Sequence, residues 1–194
     1  MIFHRSSRRR RSGFSMVEAL IAVTITTIGG AALLTSIGAA VHTSTDAAHR
    51  AVARGLAEQM IDEIAAQRFP ASTNPMLAVT SRISFDDIDD YDGWSARPPQ
   101  VREGLAVGNE GGIVFGVTQP RLEAMRADAD LIGLFTRRVD VERIRPDGGS
   151  GWTVVSQHTN FRRVTVRVDY TDAQSNTATL AEISRVFTYV PFAP

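Results

Sequence analysis

Cysteine is absent from the chain, and so is lysine. Without thiols there is no disulfide framework, no thiolate metal site and no cysteine nucleophile, and the redox compartment cannot be read from cysteine usage. All 21 basic residues are arginine, a habit of composition from which no function follows. Acids are missing from one region. Five arginines (Arg5, Arg8, Arg9, Arg10 and Arg11) precede Gly13 and no acid does, so the remainder holds 16 arginines against 21 acids, a net charge of −5. A body of that sign does not suit a phosphate backbone, because nucleic-acid binders gather basic residues on one face. Nucleic acid is not an expected partner.

Catalytic patterns are missing as well. Neither a P-loop nor G-x-G-x-x-G occurs. Around Ser150 the run Gly-Gly-Ser-Gly-Trp puts Trp152 where a nucleophile elbow needs its last glycine. His4 lies in the basic stretch and His158 stands alone, while His42 and His49 fall about 10 Å apart on one helix and cannot share a metal. Solvated or capping roles are expected of them. The expectation is a protein that is not an enzyme and needs no cofactor.

What is present is a long apolar run. Residues 14–41 make 28 positions with Glu18 as the one charge, and as a helix they span roughly 42 Å, more than a bilayer core of about 30 Å. The arginines on its amino-terminal side orient it with the N-terminus inside and the body exported. Three ordinary readings compete: a cleaved secretory signal, whose apolar core is only about 7–15 residues; a twin-arginine signal, suggested by Arg10 and Arg11; and a plain anchor. None of them explains Glu18, since a carboxylate at the centre of a membrane helix costs about 2.5–3.5 kcal/mol on insertion scales.

The basic leader, the run Gly13-Phe14-Ser15-x-x-Glu18 and the apolar helix after it resemble the processing site of type IV prepilins and the pseudopilins of type II secretion. That resemblance implies cleavage by prepilin peptidase between Gly13 and Phe14, N-methylation of Phe14, and assembly with other pilin or pseudopilin subunits on an inner-membrane platform. Physics supplies a reason for each part. Glycine leaves the backbone open to a protease, and cleavage removes the arginines while creating a cationic amine. The resemblance makes a neighbour's amine the partner of Glu18, and opposite charges in a low-dielectric setting would then fix the stagger between helices. The expected site is therefore Gly13 and Phe14 for processing and Glu18 for assembly. Many members of the family carry a proline where this chain has Thr35; Gly29, Gly30 and Gly38 can loosen the helix instead, at about 1 kcal/mol each against alanine.

The resemblance and the patterning together define the organisation: a leader at 1–13, a long helix at 14–68 with its membrane part at 14–41, and a β-rich periplasmic head at 69–194. Small-residue rows (Thr27, Ala31, Thr35, Ala39 and Ala32, Ser36, Ala40) suit close helix packing in lipid. Val52, Leu56, Met60 and Ile64 recur at i+4, beside Ala53, Ala57, Ile61 and Ala65, and give the outer half an apolar face. Phe69-Pro70 is the expected stop. Beyond it, Val164, Val166, Val168 and Tyr170 alternate with Arg163, Thr165, Arg167 and Asp169, the pattern of a half-buried strand, with FTRRVDVERI and TLAEISRVFTYV as partners. GGIVFGV reads as a further strand and PRLEAMRADADL as a short helix. The fold class is α+β, a long helix packed on an antiparallel sheet.

Asp86, Asp87, Asp89, Asp90 and Asp92 fall within seven residues and are the one candidate metal cluster; some pseudopilins of the resembled family hold calcium. Aligning the calcium-loop pattern on Asp90, Asp92 and Gly93 demands an acid at Ile88 and a glutamate at Pro99. The expectation is no metal and a solvated acidic loop, with Tyr91 and Trp94 tucked against the head. The reading that follows is a minor pilin or pseudopilin subunit of a pilus or secretion filament. The alternative is an inner-membrane-anchored periplasmic binding module that never polymerises.

Overall fold

Ser15 opens the first helix. Its hydroxyl accepts the Glu18 N–H at 3.2 Å and its carbonyl the Ala19 N–H at 3.1 Å, which satisfies donors that a helix start otherwise leaves orphaned. The computed structural model describes residues 13, 15–70, 82–114, 117–119 and 121–190, and in it this helix, α1, runs Met16–Ala65. Contacts divide the chain into two units, residues 1–47 and 48–194.

In the first unit α1 is long and apolar enough to cross a membrane. Met16, Leu20, Ile28 and Leu34 are at least 66% exposed, a surface suited to lipid or to other helices. Its threonine hydroxyls are consumed locally. Thr24, Thr26 and Thr27 donate to the carbonyls of Leu20, Ala22 and Val23 at 2.7–2.8 Å, and Thr35 donates to those of Ala31 and Ala32. Such back-bonding lets threonine sit in hydrocarbon without an orphaned O–H.

In the second unit the rest of α1 lies on a sheet. Strands β1 (Ser95–Ala96), β4 (Phe135–Pro146), β6 (Phe161–Thr171) and β7 (Thr177–Thr188) are ordered β1-β4-β6-β7, all antiparallel, and β5 (Trp152–Val154) pairs with the far end of β4. A separate hairpin joins β2 (Gly112–Val114) to β3 (Val117–Gln119), so GGIVFGV supplies the strand β2 and the first residue of its partner. PRLEAMRADADL forms a 3₁₀ turn at Glu123–Met125 and a single-turn α2 at Ala129–Ile132, capped by the Asp128 carboxylate.

The i+4 stripe is the helix side of the core. Ala53, Ala57, Met60, Ile61 and Ile64 are completely buried against Phe135, Val139, Val164, Val166 and Val168, and the two alanines allow the helix to approach the sheet closely. Ala65 itself is exposed. The helix closes there rather than at Arg68, because Arg68 is drawn into a bridge to Asp87 and its carbonyl accepts the Ile88 N–H.

β6 is more than half-buried. Thr165 and Asp169, assigned by alternation to a wet face, are 8% and 1% exposed, because β6 is central and that face is roofed by polar side chains: Arg138 and Thr179 bind Asp169, and Ser184 meets Thr165. His49 is neither solvated nor capping; it stacks on Tyr170 at 4.6 Å and meets Phe135 edge-on at 6.2 Å. Replacing Ile61 by alanine is expected to lower stability by about 2–5 kcal/mol, while Asp62→Ala, at an exposed site, stays within about 0.5 kcal/mol. Denaturant unfolding of the full chain in micelles, followed by tryptophan fluorescence, measures both.

Candidate functional site

Two sets of residues carry functional expectations: the run from Gly13 to Glu18, and the carboxylates between Asp86 and Asp92. In the first set Gly13 is exposed ahead of the helix, as a scissile position requires, and Phe14 lies outside the described residues. Ser15 and Glu18 form the Ser-x-x-Glu spacing of a capping box, of which the Ser15 half is made. Glu18 is exposed in the first turn of α1 and has no ion-pair partner among the described residues. A carboxylate here meets the positive end of the helix dipole, and an amine released one turn upstream would carry charge of the opposite sign.

The acidic segment is solvated only in part: Asp86 and Asp92 are exposed, Asp89 and Asp90 half-buried and Asp87 buried. Asp87 Oδ1 accepts the N–H groups of Asp89 and Asp90 at 2.9 and 3.2 Å, and Asp90 Oδ2 accepts those of Asp86 and Asp87 at 2.8 and 3.3 Å. Asp89 binds the guanidiniums of Arg162 and Arg143, Asp92 accepts the Val141 N–H at 2.9 Å, and Asp86 pairs with Arg68. Asp86, Asp87 and Asp90 bring one oxygen each within 4.8 Å of one another, but those carboxylates are engaged by backbone donors and by Arg68. Burial, and then the neighbouring Asp90 charge, holds the Asp87 carboxyl above the usual range. Tyr91 is fully buried and Trp94 half-buried, and Gly93 turns the chain between the two with a left-handed φ of 71°.

Three buried arginines were missed in the sequence. Arg137 and Arg162 are fully buried and Arg82 is 6% exposed. Arg82 pairs with Glu63 on α1, whose other oxygen accepts the Tyr91 hydroxyl at 2.9 Å. Arg137 donates to the Leu56 carbonyl at 3.1 Å and shares the Gln100 carbonyl with Arg82. Both guanidiniums sit over Trp94, at 4.5 and 5.5 Å, an arrangement that offsets part of the cost of desolvating a cation. Burial, aided by the adjacent Arg82 cation, lowers Arg137 to about 10; burial and the Glu63 charge push the Tyr91 hydroxyl well above the ordinary phenol range. Together these groups fasten the segment from Arg82 to Gln100 to both helix and sheet. Alternation did hold a signal, since Arg137 shares parity with Phe135 and Val139, and Arg162 with Val164 and Val166.

The family model described as the prokaryotic N-terminal methylation motif matches residues 8–34. No curated protein and no solved structure gives a significant match. The motif belongs to structural pilin-type proteins rather than to an enzyme class, and it indicates a prepilin-peptidase substrate. With the long N-terminal helix and the antiparallel sheet, the match is consistent with a type IV pilin-like protein.

Two outcomes follow from the acidic segment. Asp89→Ala strands the buried Arg162 cation and is expected to cost about 3–5 kcal/mol, whereas Asp86→Ala removes an exposed pair worth at most about 1 kcal/mol; unfolding curves separate them. Millimolar calcium is expected to give no heat in calorimetric titration and no shift in melting temperature, and a saturable heat abolished by Asp90→Asn would contradict this.

Proposed function

We propose that the chain is a minor pilin or pseudopilin subunit, cleaved after Gly13, N-methylated at Phe14 and assembled through α1 into a pilus or type II secretion pseudopilus. The observation that carries this reading is the combination in one segment of the methylation motif over residues 8–34 with a helix long and apolar enough to cross a membrane, whose apolar part up to Val41 holds one acid, Glu18, in the first turn. Before assembly the chain spans the inner membrane once, with its N-terminus cytoplasmic and its head periplasmic, as the arginine-rich flank favours. An inner-membrane platform then draws the helix into the filament.

The chemistry divides cleanly along the chain. Peptidase cleavage hydrolyses the Gly13–Phe14 peptide bond, leaving a carboxylate on the leader and an α-amine on Phe14; methylation retains that nitrogen's basicity and hence its charge at neutral pH. Glu18 on one helix pairs with this ammonium on the next. In lipid the pair is worth more than either charge alone, so one register between neighbouring helices is preferred to all others. The exposed apolar surface of α1 and its threonine hydroxyls, already bonded to their own helix, allow packing without further polar partners. The head makes no demand on this chemistry; its role is to present a surface outside the membrane.

Glu18→Ala tests the reading. The variant is expected to be inserted and cleaved like the parent, because the scissile bond is untouched. Its recovery in sheared filaments or in cross-linked subunit ladders is expected to fall at least about tenfold, the loss that about 1.4 kcal/mol of pairing energy produces. Incorporation equal to the parent would contradict the proposal.

A further inference from the structure

The two sides of the sheet end differently. The outer edge of β4 is covered by β1 at one end and β5 at the other. β7, by contrast, pairs with β6 along Thr177–Thr188 and with no other strand among the described residues. An edge of 12 residues is a template for another strand unless it is guarded by proline, lysine, bulges or brevity. β7 has no proline, no lysine and only Glu182 and Arg185 as charges, and its one register shift lies near its start, opposite Val168 and Asp169.

The register identifies the backbone groups left over. Thr171 donates to the Leu134 carbonyl and Tyr189 to the Asn160 carbonyl. Counting along the pairs from these bonds, Val164, Val166 and Val168 exchange bonds with Arg185, Ile183 and Ala181. The N–H and C=O groups of Glu182, Ser184 and Val186 therefore face away from β6, along the free edge. Their side chains lie on the face opposite the helix, while Ile183 and Arg185 lie on the helix side with Val166 and Val164.

Beside that edge runs a groove of about 600 Å³ between β7 and the flank of α1, floored by Leu180, Ala181 and Ile183 and rimmed by Arg50, Arg54, Glu58 and Arg185. Arg54 pairs with Glu58 and Arg185 with Asp62. Arg50 has no ion pair among the described residues. The rim thus has an excess of cations on an otherwise acidic chain body, next to a row of free peptide groups.

We propose that β7 accepts an extended, acidic segment of a neighbouring subunit as an added strand. The inference deepens the subunit reading above and rests on it for the identity of the partner. The main chain of the segment bonds to Glu182, Ser184 and Val186. Its side chains opposite Ile183 and Arg185 enter the groove, where a carboxylate meets Arg50. Main-chain bonding supplies affinity and the groove supplies selectivity, as in other strand additions to a sheet edge.

The test uses the full chain in detergent micelles and synthetic labelled peptides of about nine residues, a usual strand length. One alternates Thr and Val with Glu; a second has Lys in place of Glu; a third is the acidic peptide N-methylated at alternate amides. The acidic peptide is expected to slow hydrogen exchange at Ser184 and Val186 and to bind at least about tenfold more tightly than the lysine peptide, with the N-methylated form weaker by a similar factor. Ser184→Pro removes an outward N–H and no main-chain bond to β6, and should weaken binding about tenfold, whereas Ser184→Ala, which loses only the hydroxyl contact with Thr165, should bind like the parent. Arg50→Glu should reverse the order of the acidic and basic peptides without touching the ladder. Equal binding of the two peptides, or binding with no protection at those amides, would overturn the proposal. Processing is read separately by mass: a chain that keeps its leader in cells yet discriminates the peptides overturns the filament reading alone, and a processed chain that does not discriminate overturns the edge proposal alone.

Discussion

A single carboxylate in the first turn of α1, whose apolar run is otherwise uncharged as far as Val41, is the constraint on which the rest of the functional account turns. Hydrophobic burial is indifferent to register: a helix as uniformly apolar as the first part of α1 slides along a similar neighbour with little change in free energy. One charge in lipid breaks that degeneracy, because its cost is relieved only where an opposite charge stands at the same depth. Ser15 fixes the start of the helix by bonding to Glu18 N–H, so the carboxylate is placed in the first turn of α1. Methylation-motif, cap and carboxylate are thus parts of one geometric device.

The head obeys a different logic. Its core is an alanine-rich helix face on the central β6, and it tolerates three buried guanidiniums because each is held by partners that the fold places without choice. Glu63 projects from α1 toward Arg82 and Tyr91; Asp89 projects from the acidic segment toward Arg162. Removing either acid leaves a cation in low dielectric, so these pairs select one arrangement of loop on sheet even where their net contribution to stability is small. The acids that resemble a metal cluster in the sequence are the anchors of this arrangement.

Much of this was legible in the residues, and what was not has identifiable causes. The helix, its apolar stripe and the three long strands show as periods of about 3.6 and 2, because one face of each is buried and the other is not. The helix end at Ala65 was hidden because the bridge between Arg68 and Asp87 is a tertiary contact. The part of the acidic loop that is buried is hidden for a related reason: composition reports charge, whereas burial depends on the partners that the fold brings near, here Arg162 and Arg143 on Asp89, far along the chain. The packing of His49 is equally hidden, since its ring partners, Tyr170 and Phe135, are as remote in the chain. The β-rich head shows no motif at all, and the family match accordingly stops at residue 34.

The central claim is that Glu18 is tolerated because a new amine is made one turn before it. Intact-mass and peptide mass spectrometry of the chain recovered from the membrane fraction addresses this directly. A mature chain whose first residue is N-methylated Phe14 is the predicted result. A chain that retains Arg8 to Gly13 in all its membrane-bound copies would leave Glu18 without that partner and would contradict the account.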